Sequence, residues 1–227
     1  MRKFLSSFLM VFAKIIFWFF YRCEVKWINK GPGDPWRKVR LYVFLNHTSL
    51  YEPLFLLSMP NRFIFEHAPK MVAPGADVTL MRPIVGKIYT FLFPGMVPIT
   101  RKRDESWNHF LSLITEDSFV AIAPEGRMKR ATGLDKEGKP MSVMGGIADI
   151  LKVMKKGNML LAYSGGLHHV QIPGETFPKI FKTIKMNYEL VRIEDFIALC
   201  ESKEGGDSFK NAVSSELEEK MKRNIPT

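Results

Sequence analysis

The chain has 227 residues, 46% hydrophobic and 25% charged, enough apolar material for one well-buried domain and too much for a disordered chain. Thirty-three lysine and arginine residues against 23 acidic ones give a net charge of +10, which calls for an anionic partner: nucleic acid, anionic lipid headgroups or a phosphate-bearing substrate. No RNP-like, zinc-finger or helix-turn-helix signature accompanies the charge, which argues against nucleic acid, and Cys23 and Cys200 form neither a disulfide framework nor a CxxC metal site, which suits a reducing compartment.

Residues 4–21 are an apolar, aromatic-rich stretch of 18 residues whose only charge is Lys14; Arg2 and Lys3 precede it and Arg22 follows it. No small-residue cleavage site follows, so the stretch does not read as a removable signal peptide. On a helix, Lys3, Ser7, Lys14 and Tyr21 fall on one narrow stripe, and the rest of the circumference is apolar. A full span needs roughly 20 apolar residues, and a central lysine costs about 2.5–3.5 kcal/mol on insertion scales. A helix lying in the interface or re-entering it would keep Lys14 among the headgroups and bury the other face. Three readings stand: the interfacial or re-entrant anchor that the stripe favours, a span, and a helix packed only on protein. The expected organisation is a membrane-associating helix over 1–22 and one domain over 36–227.

The turn-rich segment 30–35 precedes a β-branched and aromatic run over 40–46, which predicts a buried strand. Residues 50–59 read as a helix ended by Pro60. A mixed apolar region interrupted by Pro83, Gly86 and Pro94 follows, then a strand over 97–100, a helix over 107–114 and a strand over 119–123. After a basic loop over 127–140 come a helix over 145–156, a strand over 158–163, a further strand over 184–191, and a C-terminal helix from Ser208 with Phe209, Val213 and Leu217 on one face. Alternating strands and helices predict an α/β fold, with a mainly parallel central sheet flanked by helices.

Three motifs sit at predicted strand ends, where open α/β sheets bind ligands. In the first, Asn46-His47-Thr-Ser49-Leu-Tyr-Glu52, a carboxylate one turn beyond the imidazole can fix its tautomer and stabilise the imidazolium as the ring takes a proton from a hydroxyl. The same residues also read as a capping box, with Ser49 and Glu52 closing a helix N-terminus. In the second, Gly95-Met-Val-Pro-Ile-Thr-Arg101, a strand delivers a guanidinium whose planar fork suits a phosphate; the alternative is a solvated basic loop. In the third, Pro124-Glu125-Gly126-Arg127 follows an apolar run, with Gly126 permitting close backbone approach or marking an ordinary turn. A fourth feature, His168-His169, does not read as a metal pair, because adjacent residues of a strand face opposite sides.

The three motifs, in this order and at these separations over roughly residues 38–175, resemble the glycerolipid acyltransferase superfamily, and within it the 1-acylglycerol-3-phosphate (lysophosphatidic acid) acyltransferases. Asn46, His47, Ser49 and Glu52 match the first block of that family, Gly95 and Arg101 the second, and Pro124, Glu125, Gly126 and Arg127 the third. Four departures stand out. Glu52 replaces the usual aspartate, Pro98 stands where an aromatic is usual, no threonine separates Gly126 from Arg127, and the fourth block is barely recognisable in residues 160–167.

The resemblance implies transfer of a fatty acyl group from acyl-CoA or acyl-carrier protein to a lysophospholipid hydroxyl. His47 would be the general base, oriented by Glu52; Arg101 and Arg127 would hold the acceptor's phosphate, and Glu125 and Gly126 would shape that pocket. It implies no metal and no cofactor beyond the thioester co-substrate. Membrane lipids are the expected partner, at the cytoplasmic face, with Lys129 and Arg130 attracting anionic lipid or the donor's phosphates. Rival expectations are a catalytically silent lipid-binding or scaffolding relative and the same chemistry on a different lyso-lipid.

Overall fold

The computed structural model describes the backbone of residues 2–100, 102, 104–175, 177–203 and 208–226, with side chains from residue 5 onward. Seven strands form one sheet: β1 (Tyr21–Asn29), β2 (Val39–Leu45), β3 (Met71–Ala76), β4 (Met96–Ile99), β5 (Phe119–Ile122), β6 (Asn158–Ser164) and β7 (Lys182–Arg192). Their order is β1-β7-β6-β2-β5-β3-β4, and every neighbouring pair is parallel except β6–β7. The mainly parallel sheet expected from the sequence is therefore present.

β2 lies near the middle, registered as Val43 opposite Ile122 on one side and Leu161 on the other. Strands buried on both faces read as continuous apolar runs, and VRLYVFL is one. Leu41, Val43 and Leu45 point to the face covered by four helices: α5 (Glu105–Ser112), α6 (Gly146–Met154), α7 (Ile193–Ser202) and α8 (Phe209–Asn224). Ile147, Ile150, Leu151, Phe196, Val213 and Leu217 pack there with almost no exposure. Tyr42 and Phe44 point to the opposite face, which is covered by a 3₁₀ helix (Glu52–Ser58), α2 (Asn61–His67) and α1 (Arg2–Phe20). α3 (Asp77–Leu80) and α4 (Val85–Leu92) complete that side.

Several local expectations change. The segment 50–59 is a 3₁₀ helix beginning at Glu52, with Pro53 in its first turn, rather than a helix from Leu50. β1 runs straight on from α1 and pairs with β7, so residues 21–29 belong to the sheet instead of to a connection between anchor and domain. His168 and His169 lie in a turn, and their Nε2 atoms meet the carbonyls of Lys129 and Thr183, on different segments.

The members of the α1 stripe from Ser7 onward face the protein. Ser7, Met10 and Tyr21 are buried, and Lys14 Nζ donates to Met59 O (2.6 Å) and Asn61 Oδ1 (2.8 Å). Leu5, Phe8, Phe12, Ile15, Ile16, Trp18, Phe19 and Phe20 are exposed, Trp18 by 69%. The helix is thus inverted relative to an ordinary surface helix, and Lys14 is not turned outward as the interfacial reading expected. No helix among the described residues is long and apolar enough to cross a membrane.

Candidate active site

The carboxyl end of β2 delivers His47 by way of Asn46, which takes the left-handed conformation (φ +67°) that asparagine tolerates better than most residues. Asn46 Nδ2 donates to Ser164 O at the end of β6, tying the turn to the neighbouring strand (2.9 Å). From the other neighbour, β5, comes Glu125. Its two oxygens accept the backbone N–H groups of Asn46 (2.6 Å) and His47 (2.9 Å), so one buried carboxylate holds both ends of the peptide that carries the imidazole. Burial pushes the Glu125 carboxyl pKa up, and the two N–H groups only partly oppose it.

The capping box does not form, because the 3₁₀ helix is capped at Tyr51 with no side-chain hydrogen bond and Ser49 Oγ accepts from Tyr51 N; Glu52 instead meets the imidazole. Its Oε2 lies 2.5 Å from His47 Nδ1, while Oε1 accepts the backbone N–H of Thr48 (2.8 Å) and, at longer range, of Ser49 (3.4 Å). Ser49 Oγ accepts from Tyr51 N and donates to Gln171, and Thr48 Oγ1 accepts the N–H of Leu167. With Nδ1 on Glu52, Nε2 is the ring nitrogen left without a protein partner among the described residues. Burial pushes the His47 pKa down, the carboxylates of Glu52 and Glu125 push it up, and the net direction is up from the ordinary histidine value. An imidazole held in this way has its tautomer and ring plane fixed in advance, with Nε2 able to take a proton.

His47, Glu52, Glu125, Gly126 and Arg127 border a cavity of about 730 Å³. From this polar end the cavity extends along the sheet, past Tyr42 and Phe44 of β2 and Ala121 and Phe119 of β5. The opposite wall is Phe55, Leu56, Phe63 and Ile64, with Met10 of α1 and Phe93 beyond α4. A run of four residues along β5 corresponds to roughly 13 Å. The cavity thus joins a polar, titratable mouth to a long apolar interior, a shape suited to a molecule with one reactive end and a hydrocarbon chain.

The other predicted site residues divide by position. Gly95 is packed against β3: a Cβ there would lie 1.8 Å from Met71 O, so this residue secures the β3–β4 approach rather than touching the mouth. Gly126 has φ +65° and turns the chain between Glu125 and Arg127. Arg127 borders the cavity, but its guanidinium is engaged by Asp135 and, at 3.3 Å, by Glu137. Asp135, held down to about 2 by the backbone N–H of Lys139 and by Arg127, organises the loop between β5 and α6. Arg101 lies outside the described residues; its neighbours Thr100 and Lys102 reach the cavity. Sequence reasoning set Lys102 beside Arg101 as further positive charge, but it missed Tyr89, whose hydroxyl donates to Leu50 O beside the His47 turn. It also missed Asp135, although Asp135-Lys-Glu-Gly138 is a turn signal. Among the described residues no cluster of three or more His, Cys, Asp or Glu side chains has metal-binding geometry.

Comparison with protein-family models gives no match, and comparison with curated protein sequences gives none. Among solved structures the chain is similar to the 1-acyl-sn-glycerophosphate (LPA) acyltransferase PlsC from Thermotoga maritima, with a TM-score of 0.60 and 18% sequence identity. That match covers 98% of this chain and 78% of the other. At this identity the likeness is one of fold: the α/β arrangement of a mainly parallel sheet flanked by helices is shared with that protein.

Proposed function

We propose that the chain is an O-acyltransferase that moves a fatty acyl group from a thioester to a lysophospholipid hydroxyl. The observation that carries this reading is the His47–Glu52 pair at the mouth of a long apolar cavity. His47 Nε2 takes the acceptor hydroxyl's proton as its oxygen bonds to the thioester carbonyl carbon. Collapse of the tetrahedral adduct breaks the carbon–sulfur bond, and the imidazolium returns the proton to the departing thiolate. Glu52 stabilises the imidazolium between these two steps. The acyl chain occupies the apolar interior, between Phe44, Phe55, Phe63 and Phe119.

The acceptor's phosphate is read as meeting Arg101 and Lys102, with Arg127 set back by its pairing with Asp135 and Glu137. The longer acid at position 52 does not favour a silent relative, because its extra reach lets one carboxylate serve both the imidazole and the Thr48 N–H. Acyl-CoA and acyl-carrier protein are both suitable donors. The inverted α1, with aromatic side chains outward, supports attachment to a membrane surface in the interfacial manner, with Lys14 holding the helix to the protein. Unpaired Cys23 and Cys200 suit the cytoplasmic face.

The deciding experiment is turnover of radiolabelled acyl-CoA or acyl-carrier protein by the purified chain, with lysophosphatidate and a panel of other lysophospholipids in mixed micelles. Transfer that His47→Ala abolishes without unfolding the chain supports the proposal. Turnover retained by His47→Ala rejects the assigned base, and no transfer to any acceptor rejects the activity.

A further inference from the structure

The outer face of α1 is not the only large exposed apolar surface. Met81 and Ile84, at the turn between α3 and α4, are 79% and 74% exposed, and Ile88 and Phe91 follow on the outer side of α4. Phe177 and Phe181, in the loop before β7, are 81% and 73% exposed. These segments are remote in sequence and adjoin α1 in space. α4 packs against α1, Phe181 N donates to Phe20 O (2.7 Å), and the Phe20 and Phe181 rings lie 6.2 Å apart. Leaving out the inward-turned Lys14, residues 2–22, 77–93 and 177–182 carry seven lysine or arginine residues and one acid, Asp77, while Glu175, just before the last segment, pairs with Lys179.

A monomer rarely exposes this much contiguous apolar surface without a partner. Basic side chains almost free of acids, set around large aliphatic and aromatic ones, complement an anionic bilayer. The same hairpin has an inner side, because Thr79, Leu80 and Tyr89 line the cavity. It is therefore a single layer between the cavity and the outside.

We propose that the α3–α4 hairpin and the loop around residues 177–181 form, with the outer face of α1, one docking surface for an anionic lipid leaflet. Ile84, Ile88 and Phe91 enter the acyl region, so that the wall of the cavity is itself immersed in lipid. This deepens the membrane reading given above and rests on it, but the docking does not depend on catalytic turnover.

The test uses the full chain with sucrose-loaded vesicles of phosphatidylcholine, with and without added phosphatidylglycerol. The double variant I84D/I88D should bind the phosphatidylglycerol vesicles on the order of a hundredfold more weakly than the parent. Its melting temperature and its transfer to micelle-dispersed substrate should be unchanged, and F177D/F181D should weaken binding in the same direction. If I84D/I88D does not fold, Ile88→Trp in a Trp18→Phe background decides: the fluorescence it adds over that background should be quenched by bromine-labelled lipid in the vesicles. Unchanged vesicle affinity, an unquenched tryptophan, or a face covered by a second copy of the chain with no lipid binding overturns the proposal. Docking that is lost in the variants, in a chain that transfers acyl groups to no acceptor, would refute the enzyme reading and leave the surface standing.

Discussion

Glu52 meets His47 with one carboxylate oxygen, at 2.5 Å from Nδ1, and secures the turn bearing that imidazole with the other, through the Thr48 N–H. Glu52→Gln keeps the shape but can present only one acceptor oxygen, and its amide favours the wrong imidazole tautomer. It should lower kcat by about a hundred- to ten-thousandfold. His47 must be neutral to accept a proton, and its pKa lies above the ordinary value because Glu52 and Glu125 outweigh burial. The activity of the parent should therefore rise with pH through a limb above the ordinary histidine range. In Glu52→Gln that limb should move to lower pH, as a pH profile of kcat/KM will show.

Glu125 supplies the third member of the arrangement without touching the ring. Glu125→Gln replaces one acceptor oxygen with an amide that must face the N–H of Asn46 or of His47. Leaving one buried donor unpaired costs about 1–3 kcal/mol. Thermal melting should fall accordingly, and kcat should fall with it, because the peptide that aims His47 is released. A loss of acceptor affinity alone, with stability and kcat intact, would instead put Glu125 on the substrate.

The two cations at the mouth should separate in a similar comparison. Lys102→Ala removes an exposed charge beside the cavity and should raise the KM for a phosphate-bearing acceptor, with little change in melting temperature. Arg127→Ala strips Asp135 of its guanidinium and should chiefly destabilise the loop between β5 and α6. Differential scanning fluorimetry beside steady-state kinetics reads both effects.

How far the sequence disclosed these relationships depended on what each residue's neighbours were. β2, β5 and β6 were legible because they are central strands buried on both faces, which leaves an unbroken apolar run. β1, reading YRCEVKWIN, is an edge strand with charges at alternate positions, and β3, reading MVAPGA, carries a proline and a glycine; neither has the composition of a central strand. The first motif was legible as chemistry because His47 and Glu52 are near in sequence. The clamp by Glu125 joins residues 78 apart and leaves no local trace. Gly95 matched a family block, yet it is needed because Met71 O occupies the space where its Cβ would be. Gly95→Ala should cost about 3 kcal/mol or more and reduce soluble yield, whatever the substrate.

Periodicity found the polar stripe of α1 but not the direction in which it faces. Spacing fixes which residues share an azimuth, whereas packing decides whether that side meets solvent, lipid or protein. Here Lys14 is partly buried, its pKa pushed down by that burial, and it donates to Met59 O and Asn61 Oδ1. Lys14→Met removes both bonds and leaves a carbonyl without its donor, at a cost of about 1–2 kcal/mol, or roughly 2–8 °C in Tm for a chain of this size. Because the lysine holds the helix to the protein, the variant should melt earlier while its affinity for vesicles is unchanged or higher, the added methionine being apolar. A lysine turned toward headgroups would give the reverse, with an unchanged melting temperature and weaker binding to anionic vesicles. Measuring Tm and vesicle sedimentation on one preparation separates the two orientations.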